Sequence, residues 1–446
     1  MVKLADPRYL AVTALTALEE EEDFVAEILD SFLSRARLSS RDRSLFTELF
    51  YGTVRMKGNL DYVLDLFSKR PLDKINPNIL NSLRIGVYQI LYLDRIPVSA
   101  SVNESVNLAR RLGHQGTANF VNGILRNVAR KKEEIVYPDL ECDPVRHISY
   151  KYSFPEWMIQ LWLDWWGVEE TIAFCQANNQ PPPTTLRINS LRVSKEEVKV
   201  YFEKKGAVVQ PGRFAPDVLQ VQPGSMVVND PWLQAGVYYI QDESSALAAH
   251  AVQPHPGELV YDLCSAPGGK ATHMAQLIKK DAHILDFDNH HLRLEKIAEN
   301  AHRQGVSIIE TRLQDSTKYF SDLPLAHRVL VDAPCSGLGT LQHRPDIRWR
   351  KKPEEIDELA RLQRQLLSVA AKYVKQGGVL VYSTCTVTRK ENQEVVQWFL
   401  QQHPEFSGVP LPGWFPANRS GPDYYRQIVP HHHGIDGFFI ASMRKA

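Results

Sequence analysis

The chain has few cysteines and lacks any long hydrophobic run, and both features narrow its class. Only five cysteines occur among its 446 residues, at positions 142, 175, 264, 335 and 385, and this odd, scattered set does not suit a disulfide framework. No apolar stretch reaches the length of a transmembrane helix, and the start, MVKLADPRYL, lacks the apolar core of a signal peptide. We therefore expect a cytoplasmic protein with reduced thiols and no membrane partner.

The chain also has a formal net charge of zero at pH 7. The 52 lysines and arginines balance 52 aspartates and glutamates, so an anionic partner must be met by local basic patches. The apolar share of 43% and the charged share of 23% are ordinary for a globular protein. A chain of 446 residues is too long for a single core, which predicts a multidomain protein.

Residues 1–135 are predicted to form an all-helical domain. FVAEILDSFL repeats its apolar residues at the helical period, SSRD at 39–42 suits a helix start, and NILNSLRIGVYQILYL resembles the central helix of a bundle. Between Ser101 and Lys132, six lysines and arginines stand against Glu104 alone. Such a run is usually a solvated face, but on two successive helices it also suits a nucleic-acid surface, with Arg126 and Arg130 as candidate RNA contacts.

The remaining chain is predicted to be α/β. Residues 145–240 contain linker helices and then a small α/β module, with TTLRIN as a strand and SKEEVKVYFEKKG as a helix. From 241 to 446 strands alternate with helices, and ELVYDLC, AHILDFD, RVLVDAPC and VLVYSTC are the strands. This alternation predicts a Rossmann-like, doubly wound and mostly parallel sheet, in which ligands bind beyond the carboxyl ends of the strands.

A glycine-rich turn follows the first of these strands. The glycines of the stretch CSAPGGK allow close approach of a ligand to the backbone. Because the stretch precedes a helix, the start of that helix also offers free N–H groups. The spacing excludes both GxGxxG and a P-loop. A turn of this kind is weak evidence by itself, because many are purely structural. Its candidate ligand-binding residues are Cys264, Ser265, Ala266, Pro267, Gly268, Gly269 and Lys270.

Aspartates end the next two strands. Asp286 can accept hydrogen bonds from both ribose hydroxyls of a nucleoside cofactor, although Asp288 faces the same side and competes for that assignment. Asp315, in RLQDST, can hold an adenine amino group. Any one of these aspartates can simply cap a helix, but three at successive strand ends favour a cofactor site.

Two cysteines, Cys335 and Cys385, each follow the end of a hydrophobic strand, and Asp332 lies three residues before the first. A free cysteine is commonly a small buried hydrophobe, but two at neighbouring strand ends favour nucleophilic chemistry. A thiolate that adds to C6 of a pyrimidine makes C5 nucleophilic towards a methyl sulfonium. Asp332 can hold the base edge while charge develops. The residues alone do not tell which thiol attacks.

In combination these stretches resemble the RNA cytosine-C5 methyltransferase (NOL/NOP/Sun) family, which uses S-adenosylmethionine. The resemblance rests on CSAPGGK, LDFD, LQDS, VDAPCSG, HRPDIRW, VYSTC, ENQEVV and DGFFIA, over about residues 240–446. The first 135 residues are similar to a NusB-like RNA-binding bundle. Two departures stand out: CSAPGGK has serine where alanine is usual, and STCT has threonine where serine is usual.

The resemblance implies the roles of the site residues. Cys385 becomes the nucleophile and Cys335 the product-release residue, while Cys264 to Lys270, Asp286, Asp315 and Asp332 line the cofactor pocket. The implied activity is methylation of C5 of a specific cytosine in 16S rRNA through a covalent Cys–C6 adduct, in a monomer acting on free or early-assembly RNA. The alternatives are the same chemistry on tRNA or another rRNA site, or a non-catalytic NusB-like RNA-binding protein.

Two further stretches invite functional interpretations. HRPDIRWRKK surrounds one tryptophan with cations, which suits a splayed single-stranded RNA, although a structural loop covering the sheet explains it too. The run PHHHG suggests a metal, but adjacent side chains of an extended segment cannot all face one ion, so we expect no metal. The candidate RNA contacts in the first stretch are Arg344, Arg348, Trp349 and Arg350.

Overall fold

The structure is a computed structural model that describes residues 6–20, 24–279, 281–418 and 421–446. The chain divides into two compact units. The first comprises Met1–Gln180 together with Leu341–Arg350, and the second comprises Pro181–Thr340 together with Lys351–Ala446. Among the described helices, none has the length and apolar character needed to cross a membrane.

The secondary structure follows the predicted order of a helical region and then an α/β region. The helices are α1 (Pro7–Glu20), α2 (Val25–Arg35), α3 (Ser40–Phe67), α4 (Pro77–Tyr92), α5 (Val98–Leu112), α6 (Gln115–Lys131), α7 (Pro144–Tyr152), α8 (Glu156–Asn178), α9 (Lys195–Lys204), α10 (Ser225–Val228), α11 (Pro231–Gln234), α12 (Glu243–Val252), α13 (Gly269–Ile278), α14 (His291–Gln304), α15 (Ile347–Arg350), α16 (Pro353–Tyr373), α17 (Gln393–Gln402) and α18 (Pro430–His433). The strands are β1 (Thr184–Ile188), β2 (Val208–Pro211), β3 (Val218–Gln222), β4 (Tyr238–Ile240), β5 (Leu259–Asp262), β6 (His283–Asp288), β7 (Ile309–Leu313), β8 (Ala326–Asp332), β9 (Val374–Thr384), β10 (Phe406–Gly408), β11 (Tyr425–Ile428) and β12 (Phe438–Lys445).

The first unit is a helical bundle built around α3 and α4. The Ser39 side chain accepts a hydrogen bond from the Asp42 amide and starts α3, as the SSRD pattern predicted. Helix α4 starts at Pro77 and buries every residue from Ile79 to Ile90, because it is the central helix of the bundle. The amphipathic helices α5 and α6 each turn an apolar stripe towards this core.

The second unit contains two sheets. The smaller one has the strand order β2-β3-β1-β4, is antiparallel throughout and carries α9, whose start is capped by Ser194 and Glu197. The larger one has the order β10-β12-β9-β8-β5-β6-β7, with β11 added beside β12. Strands β5 to β9 run parallel, whereas β10, β11 and β12 form an antiparallel edge.

The order of the larger sheet locates its binding face. The chain runs from β5 through β6 to β7 on one side, then crosses to β8 and β9 on the other. The direction of winding therefore reverses between β5 and β8. Ligands of doubly wound sheets bind at such a reversal, beyond the carboxyl ends of the strands. The strand-end residues identified from the sequence belong to this edge.

Candidate active site

The glycine-rich turn Cys264–Lys270 connects β5 to α13. Gly268 has a φ of 90°, in the left-handed region that favours glycine, and its amide donates to the Ser265 carbonyl at 2.7 Å. The turn therefore places Gly269 and Lys270 at the first residues of α13, where backbone N–H groups are free of helical partners. This arrangement suits a negatively charged or hydrogen-bond-accepting group of a ligand.

Asp286 lies beneath this turn, fully buried and opposite Asp262 in the register of β5 and β6. The Ser265 hydroxyl donates to Asp286 Oδ2 at 2.7 Å, whereas Asp286 Oδ1 is buried without a hydrogen-bond partner among the described residues. The serine that departs from the family pattern thus contacts the aspartate predicted to hold the ribose.

Asp262, at the end of β5, is a buried carboxylate that sequence reasoning did not single out. The Cys264 amide donates a hydrogen bond to Asp262 Oδ1 at 3.4 Å. Burial and the nearby Asp332 raise the pKa of Asp262 to about 7, and burial and Asp262 raise the pKa of Asp286 well above its usual value. Two buried carboxyls this close cannot both be ionised at low cost, so the pair retains a proton near neutral pH.

Asp288 and Asp315 lie further along the same edge. Asp288 is buried at the end of β6, and its Oδ1 accepts from the His290 amide at 2.9 Å. Asp315 Oδ1 accepts from the amide and the hydroxyl of Thr317, at 3.0 and 2.6 Å, which lowers the pKa of Asp315. Asp315 therefore caps its own turn, and its predicted contact with adenine stays a prediction.

The sulfur atoms of Cys335 and Cys385 are 3.2 Å apart, within hydrogen-bond distance for sulfur. They are brought together because β8 and β9 are adjacent and parallel, with Asp332 opposite Ser383. The hydrogen bond with Cys385, followed by burial, raises the pKa of Cys335 well above its usual value. Cys335 therefore remains a thiol at neutral pH and can donate to the Cys385 sulfur.

Lys270 links the glycine-rich turn to the cysteine pair. Its ammonium lies 2.6 Å from Asp332 Oδ2, and Ser383 donates to Asp332 Oδ1 at 2.8 Å. Although burial lowers the pKa of Lys270, attraction to Asp332 and Cys385 outweighs it and raises the pKa above the usual value. Lys270 therefore stays protonated beside Cys385, in an ion pair with Asp332.

Glu391 connects the loops that carry the two cysteines. This fully buried carboxylate accepts from the Ser336 amide at 2.8 Å and from the Ser336 hydroxyl at 2.5 Å. It also accepts from Thr386 at 3.3 Å and from Thr388 at 2.6 Å. Sequence reasoning noted the ENQEVV stretch without giving Glu391 a role, and the run of hydroxyl residues at 384, 386 and 388 was the available signal.

A close backbone approach completes the site. The Gly339 amide donates to the Cys385 carbonyl at 2.9 Å, and the Gly437 amide donates to the Gly339 carbonyl at 2.8 Å. A Cβ atom on Gly339 would lie 1.9 Å from the Gly437 carbonyl oxygen, so only glycine fits there. The DGFF stretch that leads into β12 therefore stabilises the backbone beside Cys385.

The predicted RNA contacts of HRPDIRWRKK lie in the first unit. Arg348 is fully buried and donates to Asn178 O at 2.8 Å and Asn179 Oδ1 at 2.7 Å. Trp349 is half-buried against the helical core, and its Nε1–H donates to Val54 O at 2.8 Å. These positions correct the RNA prediction for Arg348 and Trp349, because both side chains are used in packing.

The other candidate RNA contacts differ in exposure. Arg350 is half-buried and donates to the Leu18 carbonyl at 3.3 Å, whereas Arg344 is exposed. Arg126 and Arg130 are exposed on α6. The neighbouring basic residues share that exposure and continue the surface across α5 and α6: Arg110, Arg111, Lys131 and Lys132.

Comparison with known proteins supplies the context of this site. A family model described as 16S rRNA methyltransferase RsmB/F matches residues 249–444, the NusB family matches residues 5–130, and an RsmF/B-like ferredoxin-like domain matches residues 154–227. These matches confirm the predicted fold class of a helical bundle, a small α/β module and a Rossmann-like methyltransferase domain. The predicted domain boundaries at 135, 145 and 240 stay predictions.

Relatives match the chain over its full length. The probable ribosomal RNA small subunit methyltransferase B of Bacillus subtilis (strain 168) is 39% identical, covering 100% of both chains. The ribosomal RNA small subunit methyltransferase B of Serratia proteamaculans (strain 568) is 31% identical, covering 98% of both. The crystal structure of PH0851 superposes with a TM-score of 0.83, at 28% identity and 99% coverage of both chains. NSun6 from Pyrococcus horikoshii with SFG shares the fold, with a TM-score of 0.61 at 23% identity over 66% of this chain and 99% of that one.

Proposed function

Because the chain belongs to the RsmB/F family of 16S rRNA methyltransferases, we propose that it methylates C5 of one cytosine in 16S rRNA through a covalent adduct with Cys385. The observation that carries the proposal is the 3.2 Å contact between Cys335 and Cys385, beside the ion pair of Lys270 and Asp332. A protein that only binds RNA has no need of a paired thiol at this edge. The cofactor of the proposed reaction is S-adenosylmethionine.

The residues at the switch point fit a nucleoside cofactor. Asp286 Oδ1 is a buried acceptor without a protein partner, at a strand end where nucleoside hydroxyls are commonly bound. The N–H groups of Gly269 and Lys270 at the start of α13 suit a carboxylate. We propose that residues Cys264 to Lys270, Asp286, Asp315 and Asp332 hold the cofactor, which supplies an electrophilic methyl group when bound.

Cys385 is proposed to attack C6 of the cytosine. The thiolate forms the S–C6 bond, and the electron pair of the 5,6 double bond becomes available at C5. Two groups support the thiolate: the Cys335 thiol, which can donate a hydrogen bond, and the Lys270 ammonium, whose charge attracts Cys385. Asp332 is proposed to hold the polar edge of the base while charge develops on the ring.

Cys335 is proposed to act after methyl transfer. The C5 proton must then leave, its electron pair must re-form the 5,6 double bond, and the S–C6 bond must break. Cys335 lies next to the sulfur that departs, so its thiol proton can pass to the leaving Cys385 sulfur, and the Cys335 thiolate that results can take up the C5 proton. The two strand-end cysteines thereby serve successive steps on one base.

Covalent trapping tests these roles. We expect Cys385→Ala to abolish methyl transfer and leave no covalent complex with RNA, whereas Cys335→Ala should attack, methylate and accumulate a protein–RNA adduct that resists denaturation. The double variant should behave like Cys385→Ala. Cys142→Ala is the matched control, because Cys142 is exposed and lies in the first unit. An adduct mapped by mass spectrometry to the peptide of Cys335 in the wild type would reverse the two roles.

The substrate is tested separately from the mechanism. We propose that free or early-assembly 16S rRNA is the substrate of a cytoplasmic, monomeric enzyme. Bisulfite sequencing of RNA from a deletion strain should show one unmethylated cytosine in 16S rRNA. Loss of a tRNA or 23S rRNA signal instead would keep the chemistry and change the substrate. An unchanged methylation pattern, with no transfer of labelled methyl groups in vitro, would favour the non-catalytic RNA-binding alternative.

A further inference from the structure

A second cluster of reactive side chains lies within the second unit, away from the cysteine pair. Asp217 precedes β3, His250 lies on α12 and His273 lies on α13. Asp217 Oδ1 is 3.0 Å from His250 Nε2, and Asp217 Oδ2 contacts His273 Nε2. One ligand atom from each residue lies within 4.8 Å of the other two, so the three surround a common point.

The surroundings hold these ligands in place. The His250 and His273 rings meet edge to face at 4.9 Å, and Trp414 packs edge to face against His250 at 5.3 Å. The exposed fractions of the side chains are 0% for His273, 11% for His250 and 19% for Asp217, so the cluster is largely buried. Three protein ligands are commonly completed by one water molecule at a zinc ion.

We propose that Asp217, His250 and His273 bind one Zn²⁺ ion. Two imidazoles and a carboxylate are ligands that Zn²⁺ takes at about 2.0–2.2 Å, which sets tetrahedral ligand atoms roughly 3.4 Å apart. The observed Oδ1–Nε2 separation of 3.0 Å needs only a small adjustment to reach that spacing. The alternative is a hydrogen-bonded His–Asp–His triad without an ion.

The ion would join three elements of the second unit. His273 lies three residues beyond Lys270 on α13, the helix that the glycine-rich turn opens. A bond from the ion to His273 therefore braces this helix against α12 and against the turn before β3. We expect the ion to raise the thermal stability of the unit, because a ligand that binds only the folded state stabilises it.

Metal titration of the purified full-length chain tests the proposal. The protein is stripped with a chelator and carries Cys385→Ala throughout, so that the thiol pair does not compete for the ion. We expect one Zn²⁺ per chain by calorimetry, a higher melting temperature with the ion, and visible absorption bands of a four-coordinate site with Co²⁺. In this background His250→Gln should weaken Zn²⁺ binding by more than the about 10–100-fold that loss of an outer-shell partner costs, because it removes one of the three ligands themselves.

His302→Gln is the matched control, since His302 is an exposed histidine on α14 of the same unit. It should bind Zn²⁺ as the parent does. Absence of stoichiometric Zn²⁺ binding in the parent would overturn the proposal and leave the hydrogen-bonded triad. Equal affinity in His250→Gln and the parent would overturn it as well, because the ion would then lie elsewhere. If His250→Gln does not fold, the Co²⁺ spectrum of the parent decides, and a spectrum without four-coordinate bands counts against the site.

Discussion

Two arginine-rich regions that looked alike in the sequence have opposite surroundings in the structure. On α5 and α6 the basic residues lie on the solvent side of amphipathic helices, whose apolar stripe already fills the core. In Leu341–Arg350 only the last four residues are helical, and the buried Arg348 donates hydrogen bonds to the carbonyl oxygens of Arg55, Ser153 and Asn178. Charge density therefore does not distinguish a binding surface from a buried hydrogen-bonding centre. The helical period of the surrounding apolar residues distinguishes the two, because it shows which side of a helix faces the core.

Of the substitutions considered, replacing the buried Arg348 should have the largest effect on stability, which would distinguish its region from the exposed basic surface of α5 and α6. Its guanidinium donates to Arg55 O and Ser153 O at 3.2 Å each and stacks 3.8 Å over the Phe154 ring. Arg348→Ala leaves buried carbonyls without donors, and we expect it to lower the free energy of unfolding by about 3–5 kcal/mol. Urea unfolding of the full chain measures the change. Unaltered stability together with weaker RNA binding would return Arg348 to the RNA surface.

The double substitution Arg126→Ala/Arg130→Ala should weaken RNA binding and leave the stability of the fold nearly unchanged. Loss of two phosphate contacts should weaken RNA binding roughly tenfold and reduce the slope of log K against log salt by about 1.4. Because both side chains are exposed, the free energy of unfolding should change by less than about 0.5 kcal/mol. Binding titrations at several salt concentrations measure the slope, with Lys69→Ala/Arg70→Ala as the matched pair of exposed cations. Equal slopes for the two pairs would argue against an RNA surface on α6.

Trp349→Phe probes the buried region with a smaller change. The ring is kept, but the hydrogen bond from Nε1 to the Val54 carbonyl is lost. We expect a loss of about 1 kcal/mol in stability and no change in the affinity for RNA, because the side chain packs against the helical core. Filter binding and thermal unfolding of the same preparation give both values. A tryptophan that stacks on a base would show the opposite pattern.

Arg344→Ala should have the smallest effect. Arg344 is the exposed arginine of Leu341–Arg350, so stability should hardly change. If Arg344 contacts one phosphate, the affinity for RNA should fall about threefold and the salt slope by about 0.7. An affinity equal to that of the wild type at every salt concentration would leave the whole segment without a role in RNA binding.

Much of the fold follows from local patterns. Ser39 and Ser194 start their helices because the capping hydrogen bonds lie within three residues of each serine. The buried strands β5, β6 and β8 are recognisable because parallel strands are apolar on both faces. The antiparallel edge that contains β12 was not predicted, since its pairing with β9 depends on contacts between distant parts of the chain.

The residues of the candidate site also fall into two groups, those that the sequence predicted and those that it did not. The turn Cys264–Lys270 and the strand-end residues Asp286, Asp332 and Cys385 could be identified from the sequence, because strand ends of a parallel sheet meet at one edge. Asp262 was not predicted as a site residue, because its raised pKa depends on burial and on electrostatic repulsion with carboxyls on neighbouring strands.

The hydrogen-bonding roles of Ser265 and Glu391 were not predictable from the sequence either. Ser265 replaces the usual alanine at a tight turn, and only the position of Asp286 across the sheet gives its hydroxyl a function. Glu391 receives its hydrogen bonds from residues as far as 55 positions away in the chain. Interactions of this range have no signature in a local pattern.

The sharing of Glu391 by both cysteine loops has an evolutionary consequence. Because one carboxylate accepts from Ser336 on one loop and from Thr386 and Thr388 on the other, a substitution in either loop changes the hydrogen bonds available to its neighbour. Residues that share a buried partner do not contribute independently, so combined substitutions in the two loops depart from additivity. Thr386 is itself the departure from the usual serine, and its hydroxyl lies 2.7 Å from that of Ser336. We therefore expect epistasis between the two loops: the effect of a substitution beside Cys385 should depend on the residue present beside Cys335.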